Sequence, residues 1–252
     1  MSNVDELISF NNRITDLFES MEKQDGFRSS EGWLNGIMYD LYSKTKRAFQ
    51  TSNVILNSDI PNNYIEVLPQ LRIILESYLH SNYIRLNKSD GDRVEQEYKD
   101  HLAYQQWRLG RTLNELKEES PKEIDDYDEY IQSFFEGKPK RNRVQHLESI
   151  KDLSKIIHQF ELYAEVYTML SGYVHYNPQT RHSYGVAKDN ETFSYSKFEY
   201  NEALDIRIRK YILDFTISVI RNMTVYFELK EFMRGDFFKV DNDWRFIVSR
   251  VV

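Results

Sequence analysis

Two sets of polar side chains are spaced so that they could do chemistry together. The first closes the segment "ELYAEVYTMLSGYVHYNP". Tyr163, Tyr167, Ser171 and His175 follow one another at steps of four, which keeps them on one slowly drifting side of a helix. Leu162, Val166, Met169, Leu170 and Val174 form an apolar stripe beside them. His175 stands where Asn177 and Pro178 are predicted to stop the helix. An imidazole there can act as an acid or base, or simply cap the negative end of the helix dipole. Arg181 and His182 follow closely, and Arg181 could lean back over His175. The second set is "LRIILESYLH", in which Arg72, Glu76 and His80 are again four apart within an otherwise apolar run. An Arg–Glu pair on an exposed helix is worth only about 0.3–0.5 kcal/mol. Among buried neighbours it must be matched by further partners, because desolvation costs several kcal/mol per ion. It is then either a device that locks the core or part of a polar site. If this helix packs on the one ending at His175, Arg72 and Glu76 would meet Ser171 and His175.

A rival pairing, "RNRVQH", sets Arg141 four intervening residues before His146. Arginine can hold a phosphate while histidine relays a proton. The pair lies in the basic loop "KPKRNR", however, and a solvated loop explains it equally well. No other pattern carries a mechanism. The chain has no phosphate-binding or dinucleotide-binding glycine loop, no nucleophile elbow and no H-E-x-x-H. His175 and His182 lack the spacing of metal ligands, so neither a metal nor another cofactor is expected.

Composition bounds what can hold these groups. The 252 residues are 40% hydrophobic and 29% charged, enough for a packed soluble core. The absence of cysteine excludes disulfides, thiolate nucleophiles and cysteine-based zinc sites, and fits a reducing, cytoplasmic setting. The polar start has no secretory h-region, and no apolar run is long enough to span a membrane. A net charge of −7 disfavours a surface that coats nucleic acid, though it permits a local basic groove.

Hydrophobic periodicity predicts an all-α chain, a single helical-bundle domain over 1–252 with about seven helices. Helices are expected over 3–23, from about 30 to 57, 62–87, 91–118, 121–135, 147–176 and 201–233, with 62–87, 147–176 and 201–233 as the core. Pro69 should kink the third or move its start later. Alternating segments around "AKDNE" predict a short β-hairpin near 182–198. The tail 235–252, "FFKVDNDWRFIV" at its centre, reads as two β-like runs that pack on the body or on a partner.

The segments "LRIILESYLHSNYI" and "YAEVYTMLSGYVHYNP" resemble the two signature regions of an uncharacterised bacterial helical family with an Arg-x-x-x-Glu helix and a later Tyr…Ser-x-x-x-His helix end. Together they cover about an eighth of the chain. That family is similar in style to the HEPN superfamily, whose helical bundles are often dimeric and include metal-independent ribonucleases of phage defence and toxin systems. Their motif pairs an arginine with a histidine after four to six intervening residues. Here those positions before His175 hold Leu170, Met169 and Thr168, whereas Arg141 and His146 match the letter of the motif. The resemblance implies a defence effector that binds or cleaves RNA. His175 would serve as acid or base, Arg72 or Arg181 would stabilise phosphate charge, Glu76 would orient a partner, and Ser171 and Tyr167 would line the site. The other reading is a non-catalytic helical module for a protein partner, a second copy of the chain or a small ligand, with Arg72, Glu76 and His175 as a structural network.

Overall fold

Apolar residues at three- and four-residue intervals dictate long helices, and the computed structural model shows which of them share a core. It describes residues 3–28, 31–119, 143–175, 180, 183, 186–188, 192–194 and 200–250. Helix α1 (Asn3–Glu22) buries Leu7, Phe10, Ile14, Leu17, Phe18 and Met21. Gly32, at φ 120°, turns the chain into α2 (Trp33–Leu56), a backbone angle that favours glycine. A one-turn helix, Asn63–Glu66, precedes α3 (Leu68–Leu86). Pro69 sits in the first turn of α3, where its missing N–H costs nothing, so it starts the helix and does not kink it. Helix α4 covers Gly91–Glu119.

Two further helices are broken where the sequence predicts continuity. The span 147–176 is divided into Gln145–Glu148, Ile150–Ile156 and α5, which runs through Phe160–Leu162, a π-helical turn at Tyr163–Tyr167, and Thr168–Val174. The span 201–233 ends early: α6 is Glu202–Tyr226. The chain passes Ser149 in extended backbone, whereas the breaks after Ile156 and Tyr226 are Schellman turns. His158 and Glu228 each take a left-handed conformation at φ 56°. The N–H of Gln159 bonds the Ser154 carbonyl at 2.7 Å, and that of Leu229 bonds the Thr224 carbonyl at 3.0 Å. Glycine normally holds this position, so neither turn carries its usual sequence signal.

The tail is helical, which corrects the β-like expectation. Helix α7 runs through Lys230–Phe232, a π-helical turn at Met233–Phe237, and Phe238–Val248. Its buried residues Phe237, Val240, Trp244 and Ile247 have helical spacing. The Trp244 ring lies 5.2 Å from that of Phe10 on α1, and its Nε1–H donates to Asp214 on α6 at 2.6 Å. Of the hairpin expected near 182–198, the described residues are Ser183 and two three-residue segments, Val186–Lys188 and Thr192–Ser194, paired antiparallel with Ala187 opposite Phe193. Every other described element is helical, and the fold is all-α. The helix expected over 121–135 and the stop at Asn177 and Pro178 lie outside the described residues.

Helix α3 is central. It packs against α2 on one side and α6 on the other, with α5 and Ile150–Ile156 closing further faces. On α6 a charged pair is taken almost wholly inside: Arg209 Nε donates to Asp205 Oδ1 at 2.7 Å, with side-chain exposures of 6% and 4%. Arg209 Nη2 reaches the Leu56 carbonyl at 3.3 Å, while Nη1 is buried without a partner among the described residues. Removing one ion of such a pair strands the other. Asp205→Ala should therefore cost about 3–5 kcal/mol in urea unfolding, whereas Asp205→Leu with Arg209→Leu should recover most of that loss. Replacing His158 or Glu228 with glycine should raise stability by up to about 1 kcal/mol in the same assay, because an L side chain is disfavoured in the left-handed turn.

Candidate functional site

Three helices each present one stripe to a common cavity. On α2 the stripe is Trp33, Gly36, Ile37, Asp40, Leu41 and Lys44. On α3 it is Ile73, Glu76, Ser77 and His80, and on α4 it is Tyr98, His101, Leu102 and Gln105. All three stripes recur at three- and four-residue steps, the signature of a single helix face. Between them they enclose about 860 Å³, within the usual range for a small-molecule site. The walls are largely aliphatic and aromatic, with a few polar groups among them.

His80 and Tyr98 form the polar floor. His80 Nδ1 lies 2.9 Å from Tyr98 Oη. Tyr98 is buried, and burial holds its phenol well above the ordinary value, so it keeps its proton. The direction of the bond follows the His80 tautomer, with Tyr98 donating to Nδ1 when the imidazole proton is on Nε2. Burial, followed by the charges of His101, Lys44 and His146, lowers His80 to about 4. It lines the cavity, and at neutral pH it is uncharged. His101 lies beside it, also lowered by burial, with Glu148 opposing and His146 adding to the shift. Its Nδ1 is buried without a partner among the described residues, as is Glu148 Oε1.

Glu76 joins this cavity to α5. Arg72 Nε donates to Glu76 Oε1 at 2.9 Å, and Arg72 Nη2 donates to Tyr167 Oη at 2.7 Å. Tyr167 in turn donates to Glu76 Oε1 at 3.0 Å. The guanidinium also lies over the Tyr167 ring, 4.9 Å from its centroid, a favourable cation–π position. Burial, reinforced by Glu76, pushes Tyr167 up to about 12. Burial works against the Arg72 charge, but the bonds to Glu76 and Tyr167 outweigh it and raise its value. The triangle is closed, with every charge answered.

The residues singled out in the sequence are thus only partly brought together. Arg72, Glu76 and Tyr167 meet, and Tyr167 stands where Ser171 and His175 were expected. Ser171 is half-buried, and its carbonyl accepts the His175 N–H at 3.2 Å. His175 lies one residue beyond α5 in extended backbone and is exposed. No side-chain hydrogen bond to it is found among the described residues. His146 is occupied elsewhere: its Nε2 lies 3.2 Å from Tyr83 Oη and 3.4 Å from Glu97 Oε2. Arg141 and Arg181 lie outside the described residues. Among the described residues no group of three or more histidines and carboxylates converges to hold a metal, and no helix is long and apolar enough to cross a membrane. The cavity itself was missed. Its signal was His80 and His101 inside helical faces, matched by Asp40 and Lys44 interrupting the apolar face of α2.

Fold and site together define an all-α protein with one polar-floored cavity between three helices and a closed ionic triangle at its edge. Residues 35–193 match the profile of a family of unknown function, DUF5677, and the chain belongs to that family. The matched stretch contains Arg72, Glu76, Tyr167 and every cavity wall residue except Trp33. No curated protein and no solved structure matches the chain.

The His80 geometry sets a pH dependence. Unfolded, the imidazole takes a proton near 6.5; folded, it does so only at about 4. Stability should be full above about pH 6.5 and fall through the interval down to about 4, by on the order of 3 kcal/mol from this group. Urea unfolding at stepped pH should show that slope in the parent and a shallower one in His80→Gln.

Proposed function

We propose that the protein is a helical ligand-binding module, with the cavity between α2, α3 and α4 as its binding site. The observation that carries this reading is the cavity itself: apolar walls, an imidazole held neutral at its floor, and a glutamate at its edge bonded to another helix. Such a site accepts a small molecule and fixes its orientation through few polar groups. A metal-independent ribonuclease of the kind the HEPN resemblance implies needs a cation beside its histidine. Arg72 is committed to Glu76 and Tyr167, which supports binding over cleavage.

Gly36 offers a clean test. It lines the cavity from within α2, and a Cβ placed there meets nothing within 4 Å. Gly36→Leu should fill the mouth without strain, and it should raise helix stability by up to about 1 kcal/mol. The neutral apolar fluorophore N-phenyl-1-naphthylamine should brighten with the parent protein and bind at least about tenfold more weakly to Gly36→Leu, with no fall in thermal midpoint. His175→Ala should leave that binding unchanged, and purified RNA should stay intact with parent and variant alike. RNA fragmentation that His175→Ala abolishes would overturn the reading.

A further inference from the structure

The charges around the cavity narrow the chemistry of its occupant. Three ionised side chains line it: Asp40 and Lys44 on α2, and Glu76 on α3. Glu76 is answered by Arg72 at 2.9 Å. Asp40 and Lys44 are both exposed at the cavity. Neither has a hydrogen bond or ion pair among the described residues, although they stand one helical turn apart. One charge of each sign is thus left open at a mouth whose interior is apolar.

We propose that the cavity takes an apolar zwitterion, an assignment that rests on the ligand-binding reading above. The shared chemistry is one carboxylate, one ammonium and a large aliphatic or aromatic body, as in an apolar amino acid or a short apolar peptide with free termini. The carboxylate goes to Lys44, and His80 adds a second donor in its Nε2–H tautomer; the two are close enough that the ammonium charge bears on the imidazole. The ammonium goes to Asp40, one turn earlier on α2. The body lies against Ile37, Leu41, Ile73 and Leu102, of which Ile73 is 38% and Leu102 49% exposed although both are large and apolar. A simple apolar anion would leave its charge facing Asp40 and Glu76, and a simple apolar cation would face Lys44. A neutral hydrocarbon can fill the apolar walls but leaves both charges unanswered. Only a ligand of both signs answers them together. The volume, about 860 Å³, admits a few residues' worth of atoms.

Calorimetric titration of the full chain with L-tryptophan and L-leucyl-L-leucine, each beside its N-acetyl and its C-terminal amide form, tests the assignment. A free zwitterion should bind, and capping either end should weaken it about tenfold, the worth of one charge-assisted hydrogen bond. Lys44→Met should abolish the penalty for the amide and keep that for the acetyl group, and Asp40→Asn should do the converse. Both substitutions lie at exposed positions, and an unchanged thermal midpoint would show that each variant is folded. Tighter binding of tryptophan assigns a free amino acid, and tighter binding of the dipeptide assigns a peptide. Capped and free forms that bind alike, or none that bind while the naphthylamine still enters the cavity, would overturn the zwitterion and leave the binding site standing. Failure of the naphthylamine as well would remove both.

Discussion

Ten of the nineteen residues of helix α3 are buried, and much else follows from that. A helix packed on by α2, α5, α6 and Ile150–Ile156 must answer the polar groups of its buried faces inside the protein. Ser81 and Asn82 are buried, and Asn222 on α6 meets both through a short chain: its amide donates to Ser81 Oγ at 3.0 Å, while Arg85 links its oxygen to that of Asn82 at 2.9 and 2.7 Å. Arg72 and Glu76 are answered by Tyr167 from α5, and His80 by Tyr98 from α4. Each bond names a neighbour and a register, so the polar residues of α3 specify how the other helices lie as much as its leucines do.

The cavity opens on one side of α3. Ser77 and His80 reach it from the same helix that fills the core with Leu71, Ile74, Leu75 and Leu79. The two functions are separated by about half a turn of helix. The floor of the site is thus part of a core helix, and its histidine is bonded to a tyrosine that is itself buried. Preorganisation of that kind lowers the ordering cost of binding.

The all-α class, the long helices and the half-buried Arg72–Glu76 pair were legible in the sequence because periodicity and the cost of burying charge are local arguments. The breaks after Ile156 and Tyr226 were not legible, since His158 and Glu228 occupy turns that normally advertise themselves with glycine. The tail misled for a different reason. "FFKVDNDWRFIV" alternates enough to look like strands, and only packing on Phe10 and Asp214 shows the helical phase that wins. Tyr167 was placed on the right face but in a secondary role, because no spacing rule says which of Tyr163, Tyr167, Ser171 and His175 will lie opposite a given arginine. The cavity needed three helices at once, and no single segment contains it.

The π-helical turns in α5 and α7 have a consequence of phase. An α-helix advances about 100° per residue, so one extra residue in a turn rotates everything downstream by that angle without altering what lies upstream. In α7, Phe232 and Phe237 are five apart, yet both are buried. An uninterrupted α-helix would have swung one of them towards solvent. In α5 Tyr163 and Tyr167 stack within the turn, with centroids 5.3 Å apart, while Leu170 beyond it still points into the core. Each of these helices is in effect two shorter ones joined out of phase, and a single-residue deletion at either turn would re-aim every side chain beyond it.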